Sequence, residues 1–218
     1  ARYDSYEEFD GPRWPSEFGE SLVCLWKDDK LAAYSVTIDD NNSPNFPFWR
    51  EMSEKYGWKF TWFVIVHPMV WDIYEDKPGT NTGYFGTLQE FAALAERGHD
   101  IQLHGSCGVM NHLTAEEYAD HVDRSSRVLE KATGQPVLTY AYPCGTTVGK
   151  DKTGKKHSYR AVMEERVIAA RGTSGGVTPV HLLDYLNTNS LGANFLHDGK
   201  PGRLFARYKN KRNFRYSQ

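Results

Sequence analysis

Asp39 and Asp40 stand side by side in V-T-I-D-D-N-N, residues 36–42. Adjacent carboxylates repel one another unless something cationic relieves them, and successive residues of a strand point in opposite directions, so the two can face different partners. Histidines recur in comparable places. His67 closes V-I-V-H-P, and His104 and His112 bracket H-G-S-C-G-V-M-N-H. A further segment, A-Y-P-C-G, carries a tight turn shaped by Pro143 and Gly145. Taken singly, D-D-N-N is an ordinary turn sequence and a lone histidine is more often structural. Carboxylates and imidazoles gathered at several strand ends are instead the donors of a metal site, and a metal ion would relieve the repulsion between the aspartates.

The elements that must position these residues follow from periodicity. Leu31–Ile38, Phe60–Val66, Asp100–Leu103, Val137–Tyr142 and Val167–Ala170 are short apolar, aromatic or β-branched runs and read as buried strands. Helical patterns lie between them at Pro47–Tyr56, Thr87–Arg97, Thr114–Thr133 and Ser158–Arg166. T-A-E-E at Thr114 is a capping box, with Gly134 and Pro136 as stop signals, and Thr87 and Gly98 bound the second helix. Strand and helix in alternation predict an α/β fold with a parallel sheet, either open or closed into a barrel. In both architectures the C-terminal ends of the strands carry the chemistry, which is where Asp39, Asp40, His67 and His104 fall.

T-I-D-D resembles the T-F-D-D motif of the polysaccharide deacetylases, carbohydrate esterase family 4. G-H-D-I-Q-L-H at 98–104 resembles that family's G-H-E-I-x-x-H strand, Y-A-Y-P-C-G at 140–145 its third motif, and V-I-A-A-R-G-T at 167–173 its next strand. The resemblance runs from residue 31 to 175 in the family's order. It implies a distorted, incomplete (β/α) barrel with parallel strands, and a metal-dependent hydrolase that removes O- or N-linked acetyl groups from a polysaccharide or oligosaccharide. Asp39 corresponds to the catalytic base and Asp40 to the metal-binding aspartate. His104 matches the first metal histidine, and the backbone N–H of Cys144 the donor to the oxyanion. The implied cofactor is one divalent ion, zinc first, with cobalt, nickel or manganese as alternatives. His67, Tyr142, Pro143 and Arg171 are expected to contact substrate.

Three departures from the family pattern carry expectations of their own. The second metal histidine normally stands four residues after the first, a position occupied here by Gly108. His112 lies eight residues after His104, about 12 Å along a straight helix, so it can bind the same ion only if the intervening glycines let the chain fold back. His67, Cys107 and water are the competing third donors. Ala141 stands where the family often has an arginine that orients the base. The late histidine that acts as general acid in the family is matched by His197 of F-L-H-D-G, so either the barrel is abbreviated or His197 is a loop residue.

The remaining sequence narrows the alternatives. The 218 residues are 39% hydrophobic with a net charge of −2, enough for one core domain and without a global signal for nucleic acid or membrane. No run approaches the length of a membrane span. The boundaries read as an N-terminal extension over 1–30, the deacetylase-like domain over 31–199, and a basic segment over 200–218. Lys200–Arg215 holds seven Lys or Arg and no acid, suited to an acidic polysaccharide or nucleic acid, or simply a solvated tail or final helix. G-K-D-K-T-G-K-K-H at 149–157 lacks P-loop spacing and reads as a solvated loop beside the site, or as a cationic contact for an acidic glycan. R-G-T-S-G-G at 171–176 reads as a loop over the barrel mouth. Three cysteines leave one disulfide or none. A polysaccharide substrate and a chain that starts at Ala1 suggest a secreted, periplasmic or cell-surface protein. Two other readings stand beside the deacetylase: a non-catalytic carbohydrate-binding protein on the same fold, and a related hydrolase of small amides.

Overall fold

The short β-branched and aromatic runs assemble into a parallel sheet in the computed structural model, which describes residues 35–66, 71–72, 77–78, 85–106, 110–175, 183–190, 196–197 and 200–201. The chain divides into two compact units, Ser35–Leu191 and a second made of Ala1–Tyr34 with Gly192–Gln218. In chain order the first unit contains β1 (Thr37–Asp39), α1 (Phe46–Tyr56), β2 (Thr61–Val64), β3 (Trp71–Asp72), β4 (Lys77–Pro78) and α2 (Leu88–Glu96). β5 (Asp100–His104), α3 (Ala115–Thr133), β6 (Thr139–Ala141), β7 (Val148–Lys150), β8 (Lys156–Ser158) and α4 (Tyr159–Glu164) follow. β9 (Ala169–Gly175) and β10 (Thr188–Ser190) complete it, while β11 (Leu196–His197) and β12 (Lys200–Pro201) form a two-stranded ladder in the second unit.

Six strands, in the order β1-β2-β5-β6-β9-β10, pair in parallel throughout and form a curled half-barrel. The distorted, incomplete (β/α) barrel expected from the sequence is therefore the fold. Helices start where the sequence marks them. The Thr87 and Thr114 side chains accept hydrogen bonds from the backbone N–H groups of Glu90 and Glu117, and each glutamate carboxylate accepts one from the backbone N–H of its cap residue, so both capping boxes are closed. α3 stops at Gly134, whose φ of 70° is a left-handed conformation that glycine adopts without a Cβ penalty.

Two strand faces have different work. Trp62, Val64, Ile101, Leu103 and Tyr140 turn to the helices and pack with Phe91 and Leu94 of α2 and Tyr118, Val122 and Leu129 of α3. The other face is set by register: Asp39 pairs with Phe63, Phe63 with Gln102, His104 with Ala141, and Ala141 with Arg171. Residues in register share a face, as do residues two apart along a strand, so Asp39, His104 and Arg171 all point into the curl. Gln102 is buried there and ties β5 to the entry of β6. Its Oε1 accepts from the backbone N–H groups of Leu138 and Thr139 at 2.8 and 2.7 Å, and its Nε2 donates to Asp100 Oδ1 at 2.8 Å.

Two segments differ from their reading as loops. Arg171–Gly175 continues β9, because its glycines serve close packing: a Cβ on Gly172 would lie 3.2 Å from Asn187 Oδ1. Residues 148–158 form a β-hairpin, β7–β8, fixed to the core at Gly149, where a Cβ would fall 1.9 Å from the Tyr159 hydroxyl oxygen. Replacing Gln102 by leucine keeps the volume but strands two backbone donors. Gln102→Leu should lower the unfolding free energy by about 2 kcal/mol, measured by denaturant unfolding at constant m-value.

Candidate functional site

Asp39 ends β1, and the chain leaves the sheet through two consecutive left-handed residues, Asp40 (φ 66°) and Asn41 (φ 54°). Asp and Asn tolerate this region better than most residues, and Asn41 is further held by the end of β2. Its Oδ1 accepts from Ile65 N at 2.9 Å, its Nδ2 donates to Ile65 O at 2.5 Å, and its backbone O accepts from Gly86 N at 2.8 Å. The D-D-N-N turn is thus a bend pinned to the neighbouring strand, and it swings Asp40 back toward His104.

His104, the last residue of β5, is 7% exposed. Its Nε2 lies 3.7 Å from Asp39 Oδ2 and 3.5 Å from Asp40 Oδ1. Both distances exceed hydrogen-bond length, so an imidazole and two carboxylates converge without bonding one another. Burial pushes the His104 pKa down, and the charges of Asp39 and Asp40 pull against that shift. Arg171 donates through Nη2 to Asp39 Oδ1, leaving Oδ2 toward His104. The guanidinium rests 4.8 Å from the centre of the Phe63 ring, and its Nη1 donates to Gly172 O at 3.1 Å. Arg171, expected among the substrate contacts, is thereby tied to the expected base. The signal for this was in the sequence as the missing arginine at Ala141, which pairs in register with Arg171.

After β6 the chain makes a 3-10 turn, Pro143–Gly145, in which Cys144 has φ 52° and Gly145 φ 70°. A Cβ at Gly145 would lie 2.4 Å from Thr173 Oγ1 and 2.8 Å from Thr173 N, so only glycine allows the turn to sit on β9. Gly105 is needed in the same way, with Tyr140 Oη at 2.2 Å from its would-be Cβ. Cys144 is exposed and disulfide-bonded. The other two cysteines, Cys24 and Cys107, lie outside the described residues. Tyr142 and Pro143 are buried, and burial pushes the Tyr142 phenol up to about 12.

Two metal ligands at about 2.1 Å in tetrahedral array stand about 3.4 Å apart, close to the Asp40–His104 separation. That pair suits a shared divalent ion. Among the described residues no group of three or more His, Cys, Asp or Glu is arranged as a complete site. His112 is exposed and lines a cleft beside the β7–β8 hairpin. His67 and Cys107 lie outside the described residues, as does the side chain of His197.

Fold and site together define a parallel half-barrel protein whose C-terminal rim gathers an Asp-Asp-His cluster and a tethering arginine. The sequence pattern of the family described as polysaccharide deacetylase matches residues 27–162. The chain belongs to that family. Among solved structures, a Streptococcus pyogenes deacetylase in complex with acetate is 18% identical, with a TM-score of 0.51 over 65% of this chain and 56% of that one. A Bacillus cereus polysaccharide deacetylase is 19% identical, with a TM-score of 0.52 over 73% of this chain and 46% of that one. At these identities the likeness is one of fold. A Bacillus sp. protein named gellan lyase is 34% identical over 189 residues, which is 84% of this chain and 6% of that protein. The chain therefore spans only a small part of that relative.

In metal-free protein the His104 imidazole should titrate below the ordinary histidine range, followed by NMR of its ring protons. Asp39→Asn should lower it further, since the lost carboxylate favoured the charged ring. The folded pKa being depressed, His104 contributes stability above the unfolded imidazole pKa, and this is lost as pH falls toward the folded value.

Proposed function

We propose that the chain is a metal-dependent deacetylase that hydrolyses O- or N-linked acetyl groups of a polysaccharide. The observation that carries this reading is the convergence of Asp39, Asp40 and His104 at one strand-end rim, with Arg171 tethering Asp39. Family membership supports it, and the relative named gellan lyase supports a polysaccharide as substrate.

Asp40 and His104 would hold one divalent ion, zinc first, with the third place falling to His112, His67, Cys107 or water. A Cys107 that closes the disulfide to Cys144 leaves that set. When bound, such an ion supplies Lewis acidity that polarises an acetyl carbonyl and lowers the pKa of water. Asp39 takes the proton of the attacking water on Oδ2, because Oδ1 is occupied by Arg171. The Arg171 Nη2 hydrogen bond restrains the Asp39 carboxylate, so less of its ordering falls to the reaction itself. The Cys144 backbone N–H, presented by the left-handed turn, stabilises the oxyanion. His197 is assigned the return of a proton to the leaving sugar oxygen or nitrogen. The disulfide at Cys144 fits a secreted, periplasmic or cell-surface location.

Asp39→Asn should reduce acetate release by about a thousandfold or more while leaving metal content near that of wild type. His104→Ala should lose both. Elemental analysis beside an acetate assay checks the pair, and loss of metal in Asp39→Asn would show that the two aspartates have exchanged roles.

A further inference from the structure

The lysine-rich segment that the deacetylation chemistry leaves unused is a two-stranded hairpin. In the β7–β8 hairpin, Lys150 is the direct cross-strand partner of Lys156. Like charges directly opposite one another on a ladder destabilise it unless an anion lies between them. The one acid in the hairpin does not supply that anion. Asp151 is turned inward, 10% exposed at its side chain, and accepts from Thr153 N, Thr153 Oγ1, Lys155 N and His157 Nε2 at 2.5 to 3.1 Å. Glu117, at the start of α3, has its carboxylate on the Thr114 N–H at 2.8 Å. Among the described residues Lys150, Lys152, Lys155 and Lys156 make no ion pair.

The two opposed lysines face a cleft of about 350 Å³, whose other walls include Asn111, His112 and Thr146. Asn111 and His112 belong to the connection after β5, the strand that ends on His104, and Thr146 directly follows the Pro143–Gly145 turn. The cleft therefore opens between the loops of two adjacent strands on the same rim as the Asp-Asp-His cluster. The hairpin is held in place from beneath. Thr147 O accepts from Tyr159 N and Arg160 N, and the Tyr159 ring stacks on Tyr118 of α3 with centroids 3.9 Å apart.

We propose that this cleft is a subsite for an anionic sugar, its carboxylate or sulfate oxygens lying between Lys150 and Lys156, so that the polysaccharide acted on is acidic. The inference rests on the deacetylase reading for the kind of polymer that reaches the rim, and on the hairpin for its charge. The anion removes the repulsion between the lysines, and the aligned ammonium groups fix one sugar unit beside the acetylated one.

Calorimetric titration of the 218-residue chain with non-acetylated oligosaccharides tests it, using one uronate-bearing, one sulfated and one neutral oligomer on wild type, Lys150→Gln, Lys156→Gln and the double variant. Binding of an anionic oligomer should weaken on the order of tenfold in the double variant and with rising salt, while the neutral oligomer binds weakly and without change. The stronger of the two anionic oligomers names the group. Thermal midpoints of the single variants at or above wild type are also expected, because each removes a like-charge pair. Equal binding by the double variant, or equal affinity for the neutral oligomer, overturns the subsite. Lysine-dependent binding without acetate release from any acetylated polymer would instead leave the subsite standing and remove the deacetylase reading.

Discussion

Arg171 touches Asp39 across three intervening strands, and the shape of the whole sheet is implied by that one ion pair. β1 and β9 are four places apart, so in a flat sheet their axes would lie about 19 Å from one another at the usual strand spacing. No arginine side chain spans that gap. The strands must curl until the inner faces of β1 and β9 approach, and the half-barrel is the result. Arg171 is 9% exposed, and a buried guanidinium needs a partner to offset its lost hydration. Asp39 supplies the charge, Gly172 O a hydrogen bond, and the Phe63 ring a polarisable face. Curl, charge pairing and the aim of the Asp39 carboxylate are thus one constraint.

The rim around that pair is made of backbone that ordinary residues avoid. Asp40, Asn41 and Cys144 all have positive φ. Such conformations persist where the surroundings over-determine them, and here the surroundings can be named. Asn41 is clamped to both the N–H and the C=O of Ile65, and Gly145 lies against Thr173 so closely that no side chain fits. Strain placed at these bends turns Asp40 toward His104 and sets the direction of the Cys144 N–H.

How much of this could be read from the sequence depends on the range of the interaction. Capping boxes at Thr87 and Thr114 act within one turn, and both helices begin there as expected. The runs around Ile38, Phe63, Leu103 and Tyr140 mark strands because burial on a sheet selects such residues locally, and strand ends place Asp39 and His104 without further information. β10 (Thr188–Ser190) has no apolar run to mark it as a strand. Arg171–Gly175 and the β7–β8 hairpin read as loops in the sequence because glycine and lysine lower strand propensity, while the packing that favours them, against Asn187 and Tyr159, involves side chains a local pattern does not show. The Asp39–Arg171 contact joins residues 132 apart and exists only once the sheet has curled. A single sequence shows the two residue types and the vacancy at Ala141, but not their meeting.

The two sides of the proposed reaction are not held independently. Tyr142 N donates to Arg171 O at 3.0 Å, immediately before the Pro143–Gly145 turn that presents Cys144, while the Arg171 side chain reaches Asp39. One residue of β9 therefore fixes the turn through its backbone and Asp39, the proposed base, through its side chain. Thr173, two residues on, packs on Gly145 from the same strand and closes the arrangement. A displacement of β9 would move both at once, so their relative geometry is kept even if the strand as a whole shifts. For a reaction in which proton removal and oxyanion stabilisation must be matched to within fractions of an ångström, anchoring both to one strand is a better solution than anchoring each to a loop of its own.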